Sequence, residues 1–245
     1  MTPRLELTSV SKRFGGLRAV RDVSFGMQQG EILFVIGPNG AGKTTVFNLI
    51  SGFLHPDEGT IIFNGHNITR MPPHDSARLG IGRTFQIVKP LPSLTVQQNV
   101  MLGAFMHTSN VAKAEEEAEK VLEFLQMPHL KDFPARGLPL AALKRLEIAR
   151  ALATKPKLIL LDEVVSGLTT AEALALAALV KRLPEWGVSV VGGVEHVMQV
   201  VMKIADRVVV LDYGAKIAEG KPEEVVKNPA VIEAYLGAKY KEIVQ

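Results

Sequence analysis

Hydrophobic and polar positions change their spacing along the chain, and the changes mark its elements. Short strand signals occupy Arg4 to Val10 and Val20 to Gly26, and an unbroken apolar run, "EILFVI", follows as a buried strand. A glycine-rich turn and a helix come next. "EGTIIFNG" reads as a strand bounded by turn residues, and "IGRTFQ" as a short one ending in a polar side chain. From about Lys89 to Ala153 the strand signals vanish. Thr95 is placed to cap a helix through "VQQNVMLGAFM", and "AKAEEEAEKVLEFLQM" is a charged amphipathic helix. In "LKRLEIARALA" the residues Leu143, Leu146, Ala149, Ala151 and Leu152 recur at roughly helical spacing, and Pro139 falls where a first helical residue would. Beyond this stretch "KLILLD", "VSVVGG" and "RVVVLDYG" are apolar strands separated by helical patterns. "AKIAEG" suggests a final strand and "PAVIEAYLG" a short terminal helix.

Strands alternating with helices predict an α/β fold, a mostly parallel sheet with crossover helices, split by a helical insertion. The expected organisation is one domain over 1–245. Its core is drawn from 1–87 and 154–227, with an antiparallel β subdomain, a helical subdomain at 88–153, and a C-terminal helix and tail at 228–245. No internal repeat or low-complexity segment interrupts it.

Composition narrows the partners. With 245 residues and 47% apolar content the chain can build a substantial core. Lys plus Arg total 28 against 25 Asp plus Glu, a formal charge of only +3, and no basic stripe with interleaved aromatics appears. Nucleic acid is therefore not an expected partner. The absence of cysteine removes disulfides and thiolate metal sites and fits a reducing compartment. "MTPRLELTSVSKRF" has no apolar signal region, and the best candidate for a membrane span, "VSVVGGVEHVMQVV", is interrupted by Glu195 and His196. The expected location is cytoplasmic, with membrane contact made through a partner.

The strongest chemical signal is "GPNGAGKTT", comprising Gly37, Pro38, Asn39, Gly40, Ala41, Gly42, Lys43, Thr44 and Thr45. It lies between a strand and a helix, as the phosphate-binding P-loop requires. Its glycines let backbone N–H groups face phosphate, Lys43 bridges the terminal phosphates, and the Thr44 hydroxyl can ligate Mg2+. In "LILLDE", Asp162 ends an apolar strand where it can hold Mg2+, and Glu163 can polarise a water for attack on the terminal phosphate. Gln86 and His196 also end apolar strands, and carboxyl strand ends converge on the ligand crevice of such a sheet. Gln86 can touch Mg2+ and the attacking water, and His196 can contact the terminal phosphate. Phe14, in "SKRFGG", reads by its own pattern as a core residue before an adenine-stacking platform.

The order of these features resembles the nucleotide-binding subunits of ABC transporters, across essentially the whole chain. Within that family the similarity is strongest to the ATPase of branched-chain amino acid importers, through "SKRFGGLRAVRDVSF", "GIGRTFQ", "LEIARALA" and "VIEAYLG". The resemblance implies a P-loop NTPase core that binds ATP and Mg2+, and an ATPase at the cytoplasmic face of the membrane. It implies that Phe14 stacks on adenine, that Glu163 is the catalytic base and that His196 senses the γ-phosphate. Implied partners are a second ATPase subunit, membrane permeases that contact the helical subdomain and, indirectly, a periplasmic or extracellular solute-binding protein.

Departures from the family pattern cluster in one place. Before "RLEIARAL" the family carries serine, then glycine two residues on, then glutamine, a signature that binds the ATP of the other subunit in a head-to-tail dimer. Pro139, Ala141 and Ala142 stand there in this chain. Val164 replaces the proline usual after the catalytic glutamate, the following loop reads "SGLTT", and Val197 replaces an aspartate after the histidine. Thr169 and Glu172 are spaced as a capping box for the next helix. What the chain uses on its own ATP is present, and what it lends to a partner's ATP is degraded. The expectation is a heterodimer, favoured over a homodimer; the alternative is a nucleotide-binding regulatory or structural subunit with little ATPase activity.

Overall fold

The computed structural model describes residues 4–84, 90–194 and 198–236. Its first two strands, β1 (Leu5–Phe14) and β2 (Leu17–Met27), form a hairpin turning at Gly15 and Gly16, with both strands longer than the sequence pattern indicates. β3 (Ile32–Ile36) leads into α1 (Lys43–Ile50), followed by β4 (Glu58–Phe63), β5 (His66–Asn67), α2 (Pro73–Leu79) and β6 (Ile81–Arg83). Three helices follow: α3 (Val96–Ala104), α4 (Val111–Phe124) and α5 (Leu140–Leu152). The remainder alternates β7 (Leu158–Asp162), α6 (Thr170–Val180), β8 (Ser189–Val194), α7 (Met198–Ile204), β9 (Arg207–Asp212) and β10 (Ala215–Gly220), ending with α8 (Pro222–Val225) and α9 (Pro229–Leu236). α2 and β5 are elements that periodicity missed, each too short to show a period. No helix among the described residues is long and apolar enough to cross a membrane.

Strands β6, β7, β8, β3 and β9 run parallel, in the spatial order β10-β9-β3-β8-β7-β6, with β10 antiparallel at one edge. A separate antiparallel sheet has the order β2-β1-β4-β5. This is the α/β class with mixed and antiparallel sheets that the sequence predicts. The unbroken apolar runs follow from burial on both faces. All five residues of β3 and of β7 are buried. Leu33 and Val35 face a core shared with Leu5, Leu7, Phe25, Phe47 and Phe63, on the side of α1 and the antiparallel sheet. Ile32, Phe34 and Ile36 face the opposite core, with residues such as Val100, Leu122 and Leu146 from α3, α4 and α5.

Capping residues set the helix starts. Thr95 and Gln98 form a reciprocal capping box on α3, and Thr169 and Glu172 form the expected one on α6. Hydrogen bonds from the Thr169 hydroxyl and N–H hold the Glu172 carboxyl below its usual range. α5 begins one residue later than the pattern indicates, so that Pro139 is its N-cap, in an extended conformation and outside the helix. The lone tryptophan, Trp186, follows α6 and packs its ring 4.7 Å from that of Phe124 at the end of α4, with the Arg182 guanidinium 5.1 Å from the same phenyl ring.

Close packing dictates the glycine in the middle of β8. Gly192 pairs with Phe34, and a Cβ at Gly192 would stand 2.5 Å from the buried Phe34 ring. Gly192→Ala is expected to lower the unfolding free energy by about 1–3 kcal/mol through overpacking, measured by urea denaturation of the full chain.

Candidate functional site

The first β–α turn of the parallel sheet is a glycine-rich loop suited to an anion. Residues Gly37 to Gly42 connect the end of β3 to α1, and Gly42 is the N-cap at φ 99°, a left-handed conformation. A Cβ there would also lie 2.4 Å from the Ala19 carbonyl oxygen, so conformation and space both require glycine. Lys43, only 6% exposed, folds back and donates from Nζ to the carbonyl oxygens of Gly37 (2.8 Å) and Pro38 (2.9 Å). Its ammonium is thereby held over the loop. α1 has no acidic residue in its first turn to compensate the positive end of its dipole. Thr44 is exposed beside it and Thr45 half-buried.

A cleft of about 620 Å3 opens from this loop towards the turn between β1 and β2. Phe14, Arg18, Lys43, Thr44, Thr45 and Tyr213 line it, and its charged lining residues, Arg18, Arg21 and Lys43, are all cations. Such a cleft suits a polyanion with a flat apolar end. Phe14 is 46% exposed and lies on this lining, which corrects its reading as a core residue: the end of β1 projects past the apolar core into solvent. The Lys12 ammonium lies 5.8 Å from the Phe14 ring centroid. Sequence reasoning missed Arg18 and Tyr213. Tyr213, 80% exposed at φ 44° in the turn after β9, had a signal in "LDYGAK", an aromatic residue beside a turn glycine.

Asp162 ends β7, in register with Gly193, which in turn pairs with Val35 of β3. The carboxylate therefore sits at the carboxyl edge of the sheet, on the same side as the loop. It is 7% exposed and paired with the Arg83 guanidinium, itself 8% exposed, at 3.3 Å. Arg83 also donates to Asn48 Oδ1 (2.7 Å) and Ser51 Oγ (2.8 Å), tying the strand end to α1. Burial lowers the Arg83 guanidinium from its ordinary value, and the charge and hydrogen bond of Asp162 act in the opposite direction. The Asp162 N–H donates to the Thr84 hydroxyl (3.2 Å), and the Thr84 N–H donates to the Leu160 carbonyl (2.9 Å), fixing the end of β6 against β7.

Glu163 follows at φ 49°, a left-handed conformation that costs a non-glycine residue roughly 1–3 kcal/mol. Its N–H donates to the Gly193 carbonyl (2.9 Å), and its own carbonyl accepts from Nζ of the buried Lys144 on α5 (3.2 Å). Thr44 and Asp162 supply the hard oxygen donors that suit Mg2+. Among the described residues no group of three His, Cys, Asp or Glu is placed to hold a metal. Gln86 and His196 lie outside the described residues.

At the start of α5 no side chain caps the helix. Pro139 and Leu140 are exposed, Ala141 is half-buried, and the Ala142 methyl joins the core under the helical segment. A Cβ at Gly167 would stand 3.0 Å from Cδ2 of Leu140, so the turn after β7 packs closely on this helix start.

Comparison with known proteins follows the same lines. The family model described as "ABC transporter" matches residues 20–166, and that described as "Branched-chain amino acid ATP-binding cassette transporter" matches residues 215–241. The chain is 41% identical to the "Probable branched-chain amino acid transport ATP-binding protein LivG" of Archaeoglobus fulgidus, over 98% of this chain and 97% of that protein. A crystal structure of the ADP conformation of an ATP-binding cassette of an ABC transporter aligns with a TM-score of 0.88 and 33% identity, covering 97% of this chain and 100% of that one. A dimeric post-hydrolysis state of an ATP-binding cassette bound to ADP and Pi aligns at 0.79 with 26% identity, covering 89% and 98%.

An exposed ring at the rim of the cleft is removable without disturbing the core. A nucleotide whose base stacks on Phe14 is expected to bind about 1–3 kcal/mol more weakly to Phe14→Ala, with thermal stability unchanged; calorimetric titration with ADP checks it.

Proposed function

The chain belongs to the ABC transporter family of ATP-hydrolysing subunits, and from that premise we propose that it powers import of branched-chain amino acids through membrane permeases, at the cytoplasmic face of the membrane. The observation that carries the ATPase reading is the cleft whose charged lining is wholly cationic, joined to the loop that holds Lys43 and Thr44. The solute class is supported by the relatives' similarity over nearly the whole chain and by the match at 215–241. A solute-binding protein outside the membrane delivers the amino acid to the permeases and does not touch this chain.

In this reading adenine stacks on Phe14, and the β- and γ-phosphates lie in the loop Gly37 to Gly42. The Lys43 ammonium exchanges the Gly37 and Pro38 carbonyls for phosphate oxygens. Thr44, Asp162 and Gln86 hold Mg2+, which neutralises phosphate charge when bound. Glu163 orients a water and accepts its proton as the oxygen attacks the γ-phosphate, and His196 donates to that phosphate. The strained backbone of Glu163, held by Gly193 and Lys144, fixes where its side chain starts.

The second ATPase subunit is a different chain. Its ATP faces Pro139, Ala141 and Ala142, where a hydroxyl is missing and a methyl obstructs close approach. Each hydrogen bond to charged phosphate that is lost costs roughly 1.5–3 kcal/mol, about tenfold to a hundredfold in the step that uses it. Hydrolysis is therefore concentrated at this chain's own P-loop, completed by the partner's signature. ATP shifts the pair towards the closed state and hydrolysis returns it.

The permeases dock in the groove of about 430 Å3 between α2, β6, α3 and α5. Phe53, Leu102 and Met106 line it as exposed large apolar side chains gathered on one face. Glutamate at both Leu102 and Met106 is expected to abolish co-purification with the permeases while ADP binding by the chain stays intact. In the assembled pair, Glu163→Gln is expected to slow ATP turnover by about 10²- to 10⁴-fold, with a much smaller loss when the partner's equivalent glutamate is changed. Phosphate release from the two variants decides it, and equal losses overturn the asymmetry.

A further inference from the structure

Arg83 stands between the carboxyl edge of the sheet and the wall of the groove. Its guanidinium joins the Asp162 carboxylate at the nucleotide edge of the sheet, and the same residue lines the groove between α2 and α3. Its remaining contacts stiffen this arrangement. Nη1 is shared by Asn48 and Ser51, one on α1 and the other immediately after it, and the guanidinium carbon lies 5.6 Å from the centroid of the Phe53 ring. Phe53 is half exposed and forms part of the groove wall. A charge whose side chain is only 8% exposed, hydrogen-bonded through Nη2 to one oxygen of a buried carboxylate and flanked by an exposed aromatic ring, is more than a core tether. The arginine and the aromatic ring line the groove side by side.

We propose that Arg83 is a positioning residue that couples occupancy of the Phe53 groove to the Asp162 carboxylate that holds Mg2+. A guanidinium beside an aromatic face interacts more strongly when water is excluded from both. Covering Phe53 therefore tightens the Phe53–Arg83 contact and fixes the fork on Asn48, Ser51 and Asp162. Asp162 has two oxygens; Oδ2 is the one held by Arg83, and Oδ1 lies on the side of Gly193, 3.7 Å from where a Cβ there would stand. A firmly held Oδ2 leaves Oδ1 with a defined direction, which is what a small cation demanding near-octahedral geometry requires. Lysine does not reproduce this, because it lacks the planar fork that meets several acceptors at once.

The coupling deepens the reading of the groove as the permease face, but its test uses the isolated full chain. Failure of the test therefore leaves the docking reading standing, and failed co-purification leaves this coupling standing. The measurement is Mg2+ titration of binding by a fluorescent, hydrolysis-resistant ATP analogue. Phe53→Ala is expected to raise the Mg2+ concentration for half-maximal binding about two- to fivefold, although Phe53 lies in the groove and not on the nucleotide cleft. In an Arg83→Gln background the same Phe53 substitution is expected to have no effect, because no cation remains for the ring to act on. An unchanged Mg2+ requirement in Phe53→Ala overturns the proposal, as does an equal shift with and without Arg83. Should Arg83→Gln not fold, Phe53→Leu decides: it keeps the apolar bulk and lacks the ring face. Behaviour like Phe53→Ala supports the coupling through Arg83, and behaviour like the unmodified chain overturns it.

Discussion

Burial of the parallel sheet on both faces is the constraint from which the rest follows. A strand covered on each side has little room for polar side chains along its length, so β3, β7 up to Asp162 and the middle of β9 are apolar. Polar chemistry is displaced to the strand ends, where the sheet stops and loops begin. Asp162, Thr84 and the glycine loop after β3 all lie at the carboxyl edge of the parallel strands. The two cores on either side are built from different partners, the antiparallel sheet and α1 on one face and the helical segment on the other.

That geometry explains why the site is assembled from distant segments by few, well-buried polar contacts. Arg83 reaches back 35 residues to Asn48 and forward 79 residues to Asp162. Lys144 links the helical segment to the backbone of Glu163. Both cations are almost fully buried, and each is paired with an acceptor at the sheet edge. Displacement of α5 or of the end of β6 is felt directly by the residues beside the nucleotide.

Much of this was legible in the chain because it is local. The P-loop, the apolar strands and the capping box at Thr169 each declare themselves within a few residues. The parallel sheet and the helical stretch between its strands followed from the change of period alone. Phe14 was misjudged from its own pattern because exposure at a strand end depends on where the hairpin projects, which periodicity does not encode; only the family resemblance pointed to its outward position. Pro139 was displaced by one residue because a proline suits both the cap and the first turn. Arg83, Arg18 and Tyr213 went unremarked for another reason. Their surroundings come from segments far apart in sequence, so for Arg83 and Arg18 no motif of adjacent residues announces the role, and for Tyr213 the turn glycine beside it is the one local sign.

The single tryptophan gives the molecule an optical label that needs no chemistry. Trp186 belongs to the segment leading into β8, whereas the phenyl ring against it belongs to α4 of the helical segment. Any rotation of the helices against the sheet changes the separation of these two rings and the polarity around the half-exposed indole. Emission colour and quenching from one natural side chain therefore follow, in real time, the movement of one half of the subunit relative to the other.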